Sequence, residues 1–136
     1  MKTVLQILLL LFFINLGYSH VAVIAHSKVN ADSISKSQLL DYYSGDIREW
    51  NNNLSLVVFD LPKQEIRNIF LEFIGKSSSR MKSIWLKKML SGEGDPPKIL
   101  KNEKDMLETI AKTPGSIGFI SSKLVNKTVK VLVLIE

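Results

Sequence analysis

Residues 54–75, LSLVVFDLPKQEIRNIFLEFIG, decide the fold class because they hold a strand pattern followed by a helix pattern. Residues 54–59 are mostly aliphatic or aromatic, which is typical of a strand buried on at least one face. Pro62 can occupy the start of the next helix, where its missing N–H leaves no hydrogen bond unmade. Apolar side chains then recur at helical spacing, which predicts a helix with one face on the core. They are Ile66, Ile69, Phe70, Phe73 and Ile74.

Similar patterns occur on both sides of this stretch. Residues 21–25, VAVIA, predict a buried first strand. Ser35 and Gln38 have the spacing of a capping box, and Gly45 is placed to end the helix that this box begins. Two further helices are predicted at about 80–90 and 103–112, and two final strands at 116–121 and 128–135. In the last strand we expect one face to carry Val129, Val131, Val133 and Ile135.

The order of these elements is β-α-β-α-α-α-β-β. Strands that alternate with helices predict an α/β fold, with a mixed, mostly parallel sheet of about four strands flanked by helices. The chain has 136 residues, of which 46% are hydrophobic, and this length supports one core in one domain over residues 20–136. It has no cysteine, which excludes disulfides, thiol catalysis and thiolate metal sites.

Residues 1–19 have the features of a signal peptide. Lys2 precedes an apolar stretch at 5–16, and Gly17-Tyr18-Ser19 offers small residues for cleavage before His20. The alternative is a retained membrane anchor, because residues 4–25 are long enough to span a bilayer. His20 and Asn15 interrupt that run, which favours cleavage. Both alternatives predict export, and we expect a periplasmic protein.

Charge and chemistry-bearing residues narrow the possible functions. The net charge of +5 favours anionic partners only weakly, and no basic patch interleaved with aromatic residues points to nucleic acid. His20 and His26 are the only histidines and have no partners at metal-ligand spacing. The serines lack a histidine–acid arrangement for nucleophilic catalysis. We therefore expect no metal, no cofactor, no catalytic residues and no enzymatic activity.

Several short motifs follow one another in a specific order. They are SKSQLL at 35–40, YSG at 43–45, Trp50, Arg67-x-x-Phe70, Trp85, GEGDPP at 92–97 and TPGSIGF at 113–119. This series resembles the phosphate ABC transporter substrate-binding proteins (PstS-like, type II periplasmic binding protein fold), and within them the short, single-lobe members. The resemblance spans residues 21–121. It implies a single lobe of that fold and a solute-binding role for an ABC transporter or a sensor.

The anion site of that family does not carry over intact. Full-length members have two lobes and hold the anion between them, whereas this chain has material for one. Their anion loop R-x-D-x-S-G-T corresponds here to a stretch with Asp60 at the arginine position. Gln64, Glu65 and Ile66 stand at the serine, glycine and threonine positions. The two acidic side chains would repel a phosphate at a helix N-terminus that otherwise attracts anions.

Arg67 is the first candidate ligand-binding residue. An arginine in the first turns of this helix can hold a carboxylate, sulfate or phosphate through two parallel hydrogen bonds. The alternative is an ion pair with Glu65, Glu72 or another neighbour.

Four other residues are candidates because of their positions beside strands. Ser27 and Lys28 follow the first strand, and ligands bind open α/β sheets at the carboxyl ends of strands. Gly115 and Ser116 precede a late strand and could present backbone N–H groups to an anion. The alternatives are an ordinary turn at Ser27 and a helix stop at Gly115.

Two functions remain open. The first is an exported module that binds phosphate or another small anion and works with ABC transporter membrane subunits or a sensor. The second is an interaction module that kept the lobe, lost its ligand and docks another envelope protein. A homodimer could rebuild a two-lobed cleft from two copies of the chain.

Overall fold

The computed structural model describes residues 20–136, which form a mixed sheet with helices packed against it. The strands are β1 (Val21–His26), β2 (Val57–Asp60), β3 (Lys98–Ile99), β4 (Ser116–Ser121) and β5 (Val129–Ile135). The helices are α1 (Lys36–Ser44), α2 (Glu65–Ile74), α3 (Ser78–Leu90) and α4 (Glu103–Lys112), with a 3₁₀ turn at Ser122–Leu124. The predicted signal peptide, and most of the alternative anchor, lie outside the described residues. Within residues 20–136, no helix combines the length and apolar character needed to cross a bilayer.

The sheet has the strand order β3-β2-β4-β1-β5. β2 pairs in parallel with both β3 and β4, whereas β1 pairs antiparallel with β4 and with β5. Four strands therefore run in one direction and β1 alone runs in the other. The predicted α/β class and mostly parallel sheet are confirmed. The sequence-based order lacked β3, because two residues after a pair of prolines are too short to show a strand period.

β5 departs from the simple alternation expected of it. Val23 pairs with Val133 but Ile24 pairs with Val131, so Leu132 is an extra residue in the ladder. A bulge of this kind shifts the side chains that follow it to the other face. Leu132 is buried and Val131 is 38% exposed. The prediction that Val131 shares a face with Val133 and Ile135 is therefore wrong, because the bulge lies between them.

Local sequence signals predicted some helix ends correctly and others incorrectly. The Ser35–Gln38 capping box is present, and Gly45 ends α1 in the left-handed conformation at φ 78°. α2 begins at Glu65 with Gln64 as its N-cap, so Pro62 lies in the preceding loop and not at the helix start. α3 begins at Ser78 because the Ser77 side chain accepts a hydrogen bond from the backbone N–H of Arg80.

Aromatic side chains join the helices to the sheet. Phe70 of α2 stacks on Phe119 of β4 with ring centroids 4.2 Å apart. Tyr43 of α1 packs on Phe70 at 4.6 Å. Trp85 of α3 is held to α1 because its Nε1 donates to the Tyr43 carbonyl oxygen at 2.9 Å. These contacts fix α1, α2 and α3 around the carboxyl end of β2.

Candidate functional site: a groove at the carboxyl end of β2

A groove of about 380 Å³ lies where the carboxyl end of β2 meets α2, α3 and the chain leading into β3. Binding pockets for small molecules have volumes of roughly 300–1,000 Å³, so the groove is large enough for a small solute. Its polar lining includes Asp60, Arg67, Ser78 and Lys82. In open α/β sheets, ligands bind outside the carboxyl ends of the parallel strands, which is where this groove lies.

Arg67 and Asp60 form an ion pair that lines the groove. Arg67 Nε lies 3.1 Å from Asp60 Oδ1, and Nη2 donates to Oδ2 at 3.3 Å. Arg67 Nη1 donates to Ser78 Oγ at 3.0 Å. The arginine and aspartate side chains are only 13% and 16% exposed. Arg67 therefore forms an ion pair with a neighbour, as the alternative allowed, and that neighbour is Asp60, not Glu65 or Glu72.

Hydrogen bonds connect the pair to the elements around it. Asp60 is the last residue of β2, and its Oδ1 also accepts a hydrogen bond from the Leu61 backbone N–H at 2.8 Å. Arg67 projects from the first turn of α2, and its bond to Ser78 joins it to the start of α3. A guanidinium has five N–H groups. Three of them make these contacts, and two have no partner within residues 20–136.

The rest of the groove is walled by apolar surface. Tyr43 and Trp85 line it, and both use their polar atoms elsewhere: Tyr43 Oη donates to the Phe59 carbonyl oxygen at 2.8 Å, and Trp85 Nε1 donates to Tyr43. Burial, and secondarily the negative charge of Asp60, raise the pKa of Tyr43 well above its usual value. Tyr43 is therefore neutral at physiological pH and contributes its ring to the wall of the groove.

Ser27 and Lys28 lie at the opposite edge of the sheet from Arg67. Ala25 pairs with Ile117, and Val58 pairs with the same residue, but β1 runs against β2. The carboxyl end of β1 therefore meets the amino ends of the parallel strands. A place for these residues at the binding edge requires β1 to run parallel to its neighbours, and the direction of a strand cannot be seen in its own residues. Both side chains are exposed there.

Gly115 and Ser116 are also at that far edge, and both are buried. The Gly115 carbonyl oxygen accepts hydrogen bonds from Trp50 Nε1 at 2.9 Å and from the Val57 backbone N–H at 3.0 Å. The Ser116 N–H and Oγ both donate to the Thr113 carbonyl oxygen. These atoms thus have partners within the fold. The structure does not bring Gly115 or Ser116 to the groove, and ligand contact by them stays a prediction.

Two features of the groove were missing from the sequence-based site. Asp60 was noted only as a residue that would repel phosphate, although it is the direct partner of Arg67. Pro96 and Pro97 form one wall of the groove, although the sequence showed them only as part of the GEGDPP motif. The available signal was the helical spacing of Met81, Trp85 and Met89, which all line the groove. Among residues 20–136, no cluster of three or more histidine or acidic side chains could hold a metal ion.

Comparison with known proteins gives a result at the level of fold. No protein-family model matches the sequence, and a search of curated proteins finds no significant match. Solved structures do match. A candidate phosphate ABC transporter substrate-binding protein from Clostridium perfringens, with phosphate bound, superposes with a TM-score of 0.69 at 18% identity, over 84% of this chain and 45% of the other.

Two further structures agree. An ABC-type phosphate transport receptor from Vibrio cholerae has a TM-score of 0.66 at 17% identity, and PstS from Borrelia burgdorferi has 0.61 at 15%. Each match covers 84% of this chain and less than half of the other, at 46% and 47%. This chain has the fold of one lobe of a phosphate-type substrate-binding protein. At these identities the likeness concerns the fold of the PstS-like lobe, and it assigns no ligand.

Proposed function

We propose that this protein is an exported solute-binding module that holds the acidic group of a small solute at Arg67, and that it is not an enzyme. Its place of work is the periplasm, and its partners are ABC transporter membrane subunits or a sensor. The observation that carries the proposal is the position of Arg67, whose guanidinium lines a groove of about 380 Å³ and keeps two N–H groups without partners in the described chain.

Two further facts support it. The groove lies outside the carboxyl end of a parallel strand, where α/β folds bind ligands. The similar structures are named as phosphate-binding or phosphate-transport proteins, and one of them has phosphate bound. Phosphate and other small anions are therefore the first ligands to test on this chain, although Asp60 opposes a doubly charged anion.

The test is a thermal-shift panel of phosphate, sulfate and small carboxylates on the purified chain. A ligand that binds the native state raises stability by RT ln(1 + [L]/Kd), about 2.7 kcal/mol at a hundred times Kd. We expect at least one anion to raise the melting temperature. Arg67→Gln should abolish that rise, whereas Arg80→Gln, which removes an exposed arginine outside the groove, should keep it. No shift with any acidic solute, amino acids included, or an equal loss in both variants, would contradict the proposal.

A second function, an envelope interaction module, is favoured by exposed apolar side chains next to the groove. Met89 and Ile99 line it and are 44% and 61% exposed. Leu86 and Leu90 on the same helix are 53% and 81% exposed. Apolar surface of this kind often marks a contact with another protein. A homodimer through this surface would appear in light scattering as a species of twice the monomer mass. The variant Leu90→Ser should dissociate that dimer. A strict monomer would exclude the homodimer.

A further inference from the structure

The groove presents two opposite charges side by side. Asp60 and Arg67 both line it and both are mostly buried, so their charges nearly cancel at the base of the groove. An arginine alone would favour a simple anion, whereas this pair offers an acceptor and a donor together. We propose that the solute is a zwitterion with an apolar body, namely an α-amino acid with an apolar side chain. This inference rests on the proposed solute-binding function and names its ligand class.

The atoms of the pair have capacity for both halves of a zwitterion. Asp60 Oδ2 accepts hydrogen bonds only from Arg67 within residues 20–136, at 3.3 Å from both Nε and Nη2. Ionised carboxylate oxygens have about two lone-pair sites each, and the long contacts from one guanidinium leave Oδ2 able to accept from an ammonium group. The two remaining N–H groups of Arg67 can donate to a carboxylate. Charge-assisted bonds of both kinds are short and strong.

The walls of the groove determine which kind of side chain the solute can carry. Beyond the polar groups, the groove is lined by Phe70, Met81, Trp85, Met89, Pro96 and Ile99. Burying an apolar side chain against this surface is favourable, at roughly 25 cal/mol per Å² of apolar area removed from water. Methionine side chains adapt to differently shaped partners, so the walls can accept both branched and aromatic bodies. A bare inorganic anion would leave this surface exposed to water.

Lys82 adds a charge at the rim. It lines the groove and is exposed, so it lies in contact with water and attracts the carboxylate end of an approaching solute without being neutralised by Asp60. The electrostatic potential falls from Lys82 towards Asp60, which favours one orientation of a zwitterion. Its ammonium group then lies at Asp60 and its carboxylate on the side of Lys82 and Arg67. A plain carboxylic acid of the same shape gains the contact with Arg67 but has no ammonium group to donate to Asp60 Oδ2.

The test is calorimetry on the purified chain with two matched series. L-phenylalanine is compared with 3-phenylpropionate, which lacks the ammonium group, and with 2-phenylethylamine, which lacks the carboxylate. L-leucine is compared with 4-methylpentanoate and isopentylamine, and glycine tests the need for an apolar body. We expect at least one of the two amino acids to bind with a Kd at least tenfold lower than its own analogues and glycine.

Asp60→Asn supplies the variant. The amide keeps the size of the side chain and one oxygen that can accept from Arg67 and Leu61. We expect it to weaken amino-acid binding at least tenfold and to leave 3-phenylpropionate binding unchanged or tighter. If that variant does not fold, the comparison of ligands on the unmodified chain still tests whether the ligand is a zwitterion.

Two results would overturn the inference alone. If either analogue binds as tightly as its amino acid, the ligand need not be a zwitterion. If glycine binds as tightly as phenylalanine and leucine, the ligand needs no apolar side chain. Binding of phosphate, sulfate or simple carboxylates without the amino acids would leave the solute-binding function standing and the ligand class wrong. If neither the amino acids nor any anion binds, both fail.

Discussion

Arg67 donates from Nε and Nη2 to both carboxylate oxygens of Asp60, so the end of β2 and the first turn of α2 are joined by an ion pair that water barely reaches. A buried ion pair of this kind contributes little net stability compared with an apolar pair of the same size. Removing only one partner is costly, because the remaining charge is left buried without a partner. Arg67 is therefore both a candidate ligand contact and a structural residue. Its replacement must be judged on stability as well as on binding.

A double-mutant cycle measures this coupling. Because the pair is neither fully buried nor exposed, we expect Arg67→Ala and Asp60→Ala each to destabilise the fold by about 1–3 kcal/mol. The double variant should lose less than the sum of the two. Urea unfolding of the four proteins gives the coupling free energy. Strictly additive losses would mean that the pair contributes no coupling in solution.

Gly115 and Gly75 form a matched pair for backbone strain. Both have a left-handed conformation, at φ 76° and 73°. A Cβ at Gly115 would overlap the Ser55 carbonyl oxygen, whereas a Cβ at Gly75 would meet nothing within 4 Å. We expect Gly75→Ala to destabilise by about 1–2 kcal/mol from the left-handed conformation alone. Gly115→Ala should cost clearly more, and equal losses in thermal or urea unfolding would contradict the close approach.

The capping box at the start of α1 gives a third prediction. The Ser35 Oγ accepts from the Gln38 backbone N–H at 3.1 Å, and the Gln38 side chain accepts from the Ser35 N–H. Ser35→Ala should destabilise the fold by about 1 kcal/mol. Ser37→Ala is the control, since Ser37 is exposed inside the helix, where alanine is the better helix former. A loss at Ser37 as large as at Ser35 would contradict the capping role.

Asp46 makes stability depend on pH. A hydrogen bond from Lys88, at 2.6 Å, holds the pKa of Asp46 below its ordinary value of 3.8. The folded state therefore binds this proton less readily than the unfolded state does. The stabilisation is present above about pH 4 and is lost as the pH falls through the lowered pKa.

Asp46→Asn should reduce stability at pH 7, and the difference from the unmodified chain should shrink as the pH falls below 4. Because Asp46 is 61% exposed, the effect should be small and should weaken in 1 M salt. Urea unfolding at several pH values measures it. A difference that persists unchanged at low pH would contradict the ionic origin.

Some features of this fold depend on residues that are close in sequence, and others depend on residues that are far apart in sequence. The features that could be predicted were mainly those that depend on close residues. The Ser35–Gln38 box and the left-handed Gly45 could be predicted because their partners lie within one helical turn or one helix end. The bulge at Leu132 could not, because it depends on the pairing of β5 with a strand about a hundred residues away.

The same division applies to the site. Arg67 was selected from its helix position, but its pairing with Asp60 needed the geometry of the loop between β2 and α2. Ser27 and Lys28 would lie at the binding edge only if β1 ran parallel to its neighbours, and the antiparallel register of β1 against β4 puts them at the other edge. Strand direction depends on how the connections cross the sheet, which the residues of a single strand do not encode.

The two tryptophans allow the most direct test of the groove as the solute site. Trp85 lines the groove, whereas Trp50 bonds to Gly115 at the far edge of the sheet. In a ¹H–¹⁵N spectrum of the labelled chain, titration with L-phenylalanine should shift the indole N–H signal of Trp85 and the Nε–H signal of Arg67, and phosphate is titrated in parallel as the alternative ligand. The Trp50 signal should stay in place. Shifts at Trp50 and at residues 113–119 with Trp85 unchanged, or no shifts at all, would contradict the account.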